Sequence, residues 1–189
     1  MSVEPLALRG AAVFHGVRHP DERGHLQKRW VASAAAEHGL VTRVEEVVST
    51  YNHETGTLRG LHYQVAPHQE TKILWVTSGR LLDVLVDLRP DEPTYGTWVG
   101  VELSGADDLA LSIPMGVAHG YQTLEPGTSL TYLIDTPYAP TSARTLAFDD
   151  PTEADYGRLL AAAMTRQGWC ARRDSNPRPT GSKPAALSS

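Results

Sequence analysis

Six consecutive residues, Arg59-Gly60-Leu61-His62-Tyr63-Gln64, gather a guanidinium, an imidazole, a phenol and an amide on one short stretch. Gly56-Thr57 reads as a turn before it and Ala66-Pro67 as a break after it, so the stretch is expected to be a strand. Strict alternation then places Leu58, Gly60, His62 and Gln64 on one face, and Thr57, Arg59, Leu61 and Tyr63 on the other. An imidazole titrates near 6.5, and a strand holds it firmly enough for acid–base chemistry. A strand histidine by itself is more often a hydrogen-bonded core residue. What sets His62 apart is its company. Pro114-x-Gly116-x-x-His119 puts a second histidine just past a tight turn. Lys72 interrupts an otherwise apolar strand, where it is either a rim residue or a fixed cation suited to a developing oxyanion. Tyr132 and Tyr138 flank Pro137; strand tyrosines usually pack, but a phenol is also a proton donor. Asp83 and Asp87 interrupt one face of the apolar run 81–88, where each could hydrogen-bond a histidine or cap the sheet. His62, His68 and Glu70 are metal-type donors. Two of them are six residues apart, roughly 20 Å along a strand that Pro67 breaks, and that spacing supports a metal site poorly.

The elements that must position these groups read as short strands. Residues 11–17, 26–31 and 41–51 carry strand character, 19–24 is a turn cluster, and the alanine-rich 32–38 before Gly39 fits a short helix. From there strands recur every 8–12 residues, at 71–77, 81–88, 98–103, 109–113, 118–124 and 129–135, with Gly, Pro, Ser or Asp between them. That rhythm predicts an all-β sandwich or barrel. Thr152-Glu153-Ala154-Asp155 has capping-box spacing, and Tyr156, Leu159, Leu160, Ala163 and Met164 repeat at helical spacing, so a C-terminal helix is expected. The expected layout is one domain over 1–167 and a disordered tail over 168–189, where apolar residues are scarce. The 189 residues suffice for one sizeable core, and 41% hydrophobic with 21% charged residues is ordinary for a soluble protein. A net charge of −5 argues against nucleic acid as a partner. No apolar run spans a membrane and no secretory signal is visible, so a cytoplasmic location is expected. A single cysteine, Cys170, excludes an internal disulfide framework.

The first histidine segment and the Pro-x-Gly-x-x-His segment together resemble the cupin, or jelly-roll, signature. More closely, residues 11–150 resemble the nucleotide-sugar epimerases typified by dTDP-4-dehydrorhamnose 3,5-epimerase. The matching runs are Asp21-x-Arg23-Gly24, Gly56 through Gln64, Lys72, Asp83-Val84-x-Val86-Asp87-Leu88-Arg89, Pro93-Thr94-x-Gly96-x-Trp98, Pro114-x-Gly116-x-Ala118-His119-Gly120, and Tyr132 through Tyr138-x-Pro140.

The resemblance implies a cupin jelly-roll homodimer that uses no metal or other cofactor. Its substrate would be a nucleoside-diphosphate 4-keto-6-deoxy sugar, epimerised at carbon 3, carbon 5 or both. By similarity His62 is the base, Lys72 stabilises charge on the carbonyl oxygen, and Tyr132 returns a proton from the opposite face. Arg59 and His119 would contact the diphosphate, Tyr138 would stack on the nucleobase, Gln64 would line the substrate site, and Arg23 would reach in from the partner subunit or the N-terminal arm. The alternatives are a weakly active or inactive nucleotide-sugar binding cupin and a metal-dependent cupin enzyme. The chain departs from the family pattern in places. Lys28 stands where a Glu is usual, Val47 and Ser49 replace a Gln-x-Asn pair, and Ala143 replaces a Glu. The family's terminal aspartate, which orients the base, has its nearest counterpart in Asp174.

Overall fold

Runs of valine, isoleucine, leucine, threonine and aromatic residues suit a pleated, half-buried surface, and glycine and proline cut them into short lengths. The computed structural model describes residues 1–40 and 43–146. Its strands are β1 (Ser2–Pro5), β2 (Ala12–His15), β3 (Val17–Asp21), β4 (Gly24–Lys28), β5 (Glu46–Asn52), β6 (Leu58–Gln64), β7 (Lys72–Ser78), β8 (Arg80–Asp87), β9 (Trp98–Ser104), β10 (Leu109–Ile113), β11 (Val117–Thr123), β12 (Thr128–Ile134) and β13 (Ala143–Thr145). One short helix, α1 (Ala32–Glu37), precedes β5. A six-stranded sheet runs β1-β2-β10-β7-β12-β5, a five-stranded sheet runs β13-β6-β11-β8-β9, and β3-β4 form a separate hairpin. Strands distant in sequence lie side by side, as in the expected jelly roll.

The two sheets bury their inner faces against each other. Leu74, Val76, Leu130 and Tyr132 of the first meet Leu81, Leu85, Val117 and Tyr121 of the second. Leu74, Leu81, Leu85 and Leu130 have no exposed surface, and each such side chain contributes about 1.5–3 kcal/mol. A second apolar cluster covers the outside of the five-stranded sheet, with Leu58, Leu61, Leu82, Val84, Val86 and Ala118. On the outside of the six-stranded sheet, Phe14, Ile73 and Ala110 pack with Ala35 of α1.

The strands expected from 71 to 135 appear as β7 to β12, shifted by a residue or two. The first part of the chain differs from expectation. The run 11–17 is two strands, β2 and β3, parted at Gly16, whose backbone touches its neighbours. A Cβ there would stand 2.6 Å from the Lys28 carbonyl oxygen and 2.8 Å from that of Asp108. The turn cluster 19–24 is the tip of the β3–β4 hairpin, with Pro20 and Asp21 inside β3, paired to His25 and Gly24. Proline is compatible with strand geometry at such an edge. The expected C-terminal helix, the domain boundary at 167 and the tail lie outside the described residues.

Candidate active site

The glycine in β6 determines which side chains can meet. In the pairing of β6 with β11, Arg59 lies opposite Tyr121 and His62 opposite His119. Between these pairs β6 has two residues, Gly60 and Leu61, where β11 has only Gly120, which makes a β-bulge. Gly60 has φ +104°, and a Cβ on it would lie 2.7 Å from both the Gly120 Cα and the His119 carbonyl oxygen. Only glycine fits. The extra residue resets the alternation. Leu58 and Leu61 both join the outer cluster, whereas Arg59 and His62 face inward with their partners Tyr121 and His119. Strict alternation had separated Arg59 from His62; the bulge puts them on one face.

On that face lies a buried group drawn from both sheets. His119 is 4% exposed, and its ring centroid is 6.0 Å from that of Tyr132 in an edge-on arrangement at 63°. Cross-strand partners share a face with Cβ atoms about 4.5–5.5 Å apart, so the residue beside His62 is the one that meets Tyr132. His62 itself is exposed. On the opposing sheet Tyr132 lies opposite Leu74 and Ile134 opposite Lys72. Lys72 is therefore a diagonal same-face neighbour of Tyr132, a separation of roughly 7–8 Å between Cα atoms. Lys72 is 9% exposed, and its Nζ is 2.9 Å from Glu70 Oε1. Gln64 Nε2 donates to the other Glu70 oxygen at 3.2 Å, so the carboxylate that holds the ammonium is itself held. Gln64, Glu70 and Lys72 form the polar side of a small cleft whose apolar side is Ile113 and Val117.

Burial sets the protonation of this group. It drives His119 well below the ordinary histidine value; the nearby Lys72 charge pushes the same way and Glu70 partly opposes it, so the imidazole is neutral at pH 7. Burial also drives Asp83 well above the usual carboxylate range, with Lys72 pulling it partly back. Asp83 Oδ2 is 3.4 Å from His119 Nδ1, and its Oδ1 is buried without a hydrogen-bond partner among the described residues. Burial, then the neighbouring Tyr121 and Asp83, push the Tyr132 phenol far up, which keeps it protonated. The arrangement thus holds a neutral imidazole, a protonated phenol and an ammonium on facing inner surfaces. Such a set can move a proton and stabilise an oxyanion.

The remaining candidates lie elsewhere or are engaged. Arg59 Nε donates to Asn52 Oδ1 at 2.8 Å. Gln64 binds the Pro137 carbonyl and accepts the Ala139 N–H at 2.7 Å, tying the loop after β12 to β6. Tyr138 on that loop is 65% exposed, and its N–H donates to Glu46. Arg23 sits at the hairpin tip, paired with Asp21 and apart from the inner face. Of the metal-type donors, Glu70 is taken by Lys72, and His68 Nδ1 is 3.0 Å from Ser142 Oγ. Among the described residues no group of three His, Cys, Asp or Glu could hold a metal ion. Among the departures, Val47 is 65% exposed, Ser49 Oγ meets Thr131 Oγ1 at 3.1 Å, and Ala143 pairs with Gln64. Asp174 lies outside the described residues. Sequence reasoning missed Asn52 and Tyr121, both 2% exposed. Two signals were available: an asparagine within a strand, where it is uncommon, and a tyrosine two residues from His119 on the same face.

The sequence pattern of the family described as dTDP-4-dehydrorhamnose 3,5-epimerase matches residues 5–166. The dTDP-4-dehydrorhamnose 3,5-epimerase of Sinorhizobium fredii is 35% identical over 155 residues, covering 80% of this chain and 77% of its own. Among solved structures, the Bacillus anthracis dTDP-4-dehydrorhamnose 3,5-epimerase with TDP and PPi bound is similar with a TM-score of 0.77 and 31% identity, over 81% of this chain and 87% of that one. ChmJ, a 3'-monoepimerase from Streptomyces bikiniensis in complex with dTDP-quinovose, gives 0.73 and 30%, over 79% and 76%. With a jelly roll of the same shape and a family pattern running almost from end to end of the described strands, the chain belongs to the dTDP-4-dehydrorhamnose 3,5-epimerase family of isomerases.

Proposed function

We propose that this protein inverts one or both of the carbons flanking the ketone of a nucleoside-diphosphate 4-keto-6-deoxy sugar. The observation that carries the reading is the inner-face grouping: His62 stands beside the histidine that meets Tyr132, and Lys72 lies diagonal to that tyrosine. A C–H bond next to a carbonyl is acidified because the electron pair it leaves moves onto the oxygen. His62 takes this proton, and the C–H pair becomes the enolate π bond. The carbonyl pair becomes an oxyanion, which the Lys72 ammonium stabilises. Tyr132 then gives its proton to the same carbon from the other face, so the stereocentre inverts and the ketone re-forms. Exchange with solvent resets both groups. A phenol held protonated at neutral pH suits the donor role.

The Arg59 guanidinium, with Nε fixed by Asn52, keeps its two Nη groups for the diphosphate. His119, neutral and buried, serves as a hydrogen-bonding rather than a charged contact. Tyr138 supplies a face for the nucleobase, and Arg23 reaches a site only by way of a second copy of the chain, in a homodimer.

The test is deuterium incorporation from heavy water into carbons 3 and 5 of dTDP-4-keto-6-deoxyglucose. The expected outcome is incorporation with inversion, reduced about 10²–10⁴-fold in His62→Ala. Tight dTDP binding with no exchange by the wild-type protein would reduce the reading to a binding protein.

A further inference from the structure

Glu70, a metal-type donor in the sequence, has no task in the reaction above. Its side chain is 10% exposed and that of Lys72 is 11% exposed, with Lys72 Nζ 2.9 Å from Glu70 Oε1. Two charges buried together lose hydration that their attraction only partly returns, so such a pair is weak evidence of a stabilising role. What marks this pair is how firmly the carboxylate is held. Gln64 is 3% exposed. Its Oε1 accepts the Ala139 N–H at 2.7 Å, which turns Nε2 toward three oxygens: Glu70 Oε2 at 3.2 Å, the His68 carbonyl at 3.0 Å and the Pro137 carbonyl at 3.3 Å. The backbone that carries Glu70 is stapled as well. The Thr71 N–H donates to Asp135 Oδ1 at 2.7 Å, and Thr136 Oγ1 donates to the Gln69 carbonyl at 3.0 Å. One carboxylate oxygen therefore meets the ammonium and the other meets the amide, in a frame that joins β6 to the loop after β12.

We propose that Glu70 is a positioning residue for the reaction: held by Gln64 on one oxygen, it fixes the Lys72 ammonium with the other, ready for the charge that develops on the substrate carbonyl. The inference rests on the reading of Lys72 as the oxyanion stabiliser. A lysine head rides on a flexible four-carbon stem. Stabilising an oxyanion needs a donor that is in place before the charge develops. Glu70 occupies one of the three Nζ–H donors and leaves the ammonium others for the substrate. The same anion also damps the field of the ammonium. Removing it would therefore raise kcat if charge alone mattered, and lowers kcat if placement decides.

Glu70→Gln keeps the shape of the side chain and removes its charge. Its expected effect is a fall in kcat of about 10–100-fold, the worth of one charge-assisted hydrogen bond. KM and dTDP affinity should stay within about twofold, because the loss falls on the transition state. Glu70→Asp keeps the charge, and so the fold where Glu70→Gln does not, but withdraws it by one methylene. It should lower kcat in the same way and by less. Glu70→Gln combined with Lys72→Met should lose no more than Lys72→Met alone. Unchanged or raised kcat in the Glu70 variants, with Lys72→Met impaired, would overturn this inference alone. So would a loss confined to KM and dTDP affinity, or an equal further loss on top of Lys72→Met. Full turnover by Lys72→Met would overturn the oxyanion assignment and this inference together.

Discussion

Asp83 and Asp87 stand four residues apart on β8, face the same side, and are both 0% exposed, yet they are opposite kinds of carboxylate. Asp87 is saturated. Its Oδ1 accepts the Arg89 backbone N–H at 3.0 Å and Arg89 Nε at 2.8 Å; its Oδ2 accepts Arg89 Nη2 and Thr94 Oγ1, both at 2.6 Å. Burial alone would raise it, but the Arg89 and Thr94 bonds outweigh burial and hold it below its usual value. Arg89 in turn reaches the Arg9 carbonyl, so this carboxylate ties the loop after β8 to the N-terminal segment. Asp83 has one long contact to His119, an orphan oxygen, and burial that pushes it up. Two carboxylates without exposed surface thus become an anion at the end of the strand and a carboxylic acid in its middle: Asp87 is less desolvated and is bonded by Arg89 and Thr94, whereas Asp83 is deep and has few partners. The first kind stabilises the fold. The second costs stability and lies within reach of the proposed chemistry, where such groups concentrate.

The largest effect expected from this contrast is at Asp87. Asp87→Ala strands the Arg89 guanidinium and should cost about 3–5 kcal/mol in chemical denaturation at pH 7. A loss under about 1 kcal/mol would erase the distinction. Asp83→Asn should change stability by about 1 kcal/mol or less at pH 7, since it removes a buried acid that has little to lose.

A pH series sharpens the same contrast, because the two signs are opposite. Asp87 is depressed in the fold, so its contribution is complete above the unfolded value near 3.9 and disappears as pH falls through the lower folded value. Asp83 is raised, so between about 3.9 and its folded value the native state keeps a proton that the unfolded chain has released, and stability declines as pH rises through that window. Asp83→Asn should flatten the decline, and Asp87→Ala should flatten the acid loss. The smallest effect is spectroscopic: His119, neutral by burial and the Lys72 charge, should show a neutral imidazole by NMR at pH 6.

Much of this could be read along the chain. β7 to β12 follow from alternation and from turns such as Ser78-Gly79 and Glu125-Pro126-Gly127, because a strand and its end depend on neighbours in sequence. The β3–β4 hairpin was hidden because Pro20 and Asp21 read as turn residues wherever they stand. The bulge at Gly60 was hidden because alternation presumes one residue opposite one, and only the approach of Gly120 shows the extra residue. His62, Lys72, His119 and Tyr132 stood out by residue type and spacing, and the family resemblance supplied their roles. Asn52 and Tyr121 did not, since an in-strand asparagine and a tyrosine near His119 are weak local signals and the bond between them joins strands 69 residues apart.

By itself the sequence determined the jelly roll, the family and the chemical types available to the site, because patterning, turn residues and motifs are properties of short stretches. Only the tertiary structure decided which face His62 shares with Arg59 and which of two aspartates keeps its charge. Those outcomes depend on distances and desolvation between atoms that the chain brings together only when both sheets close.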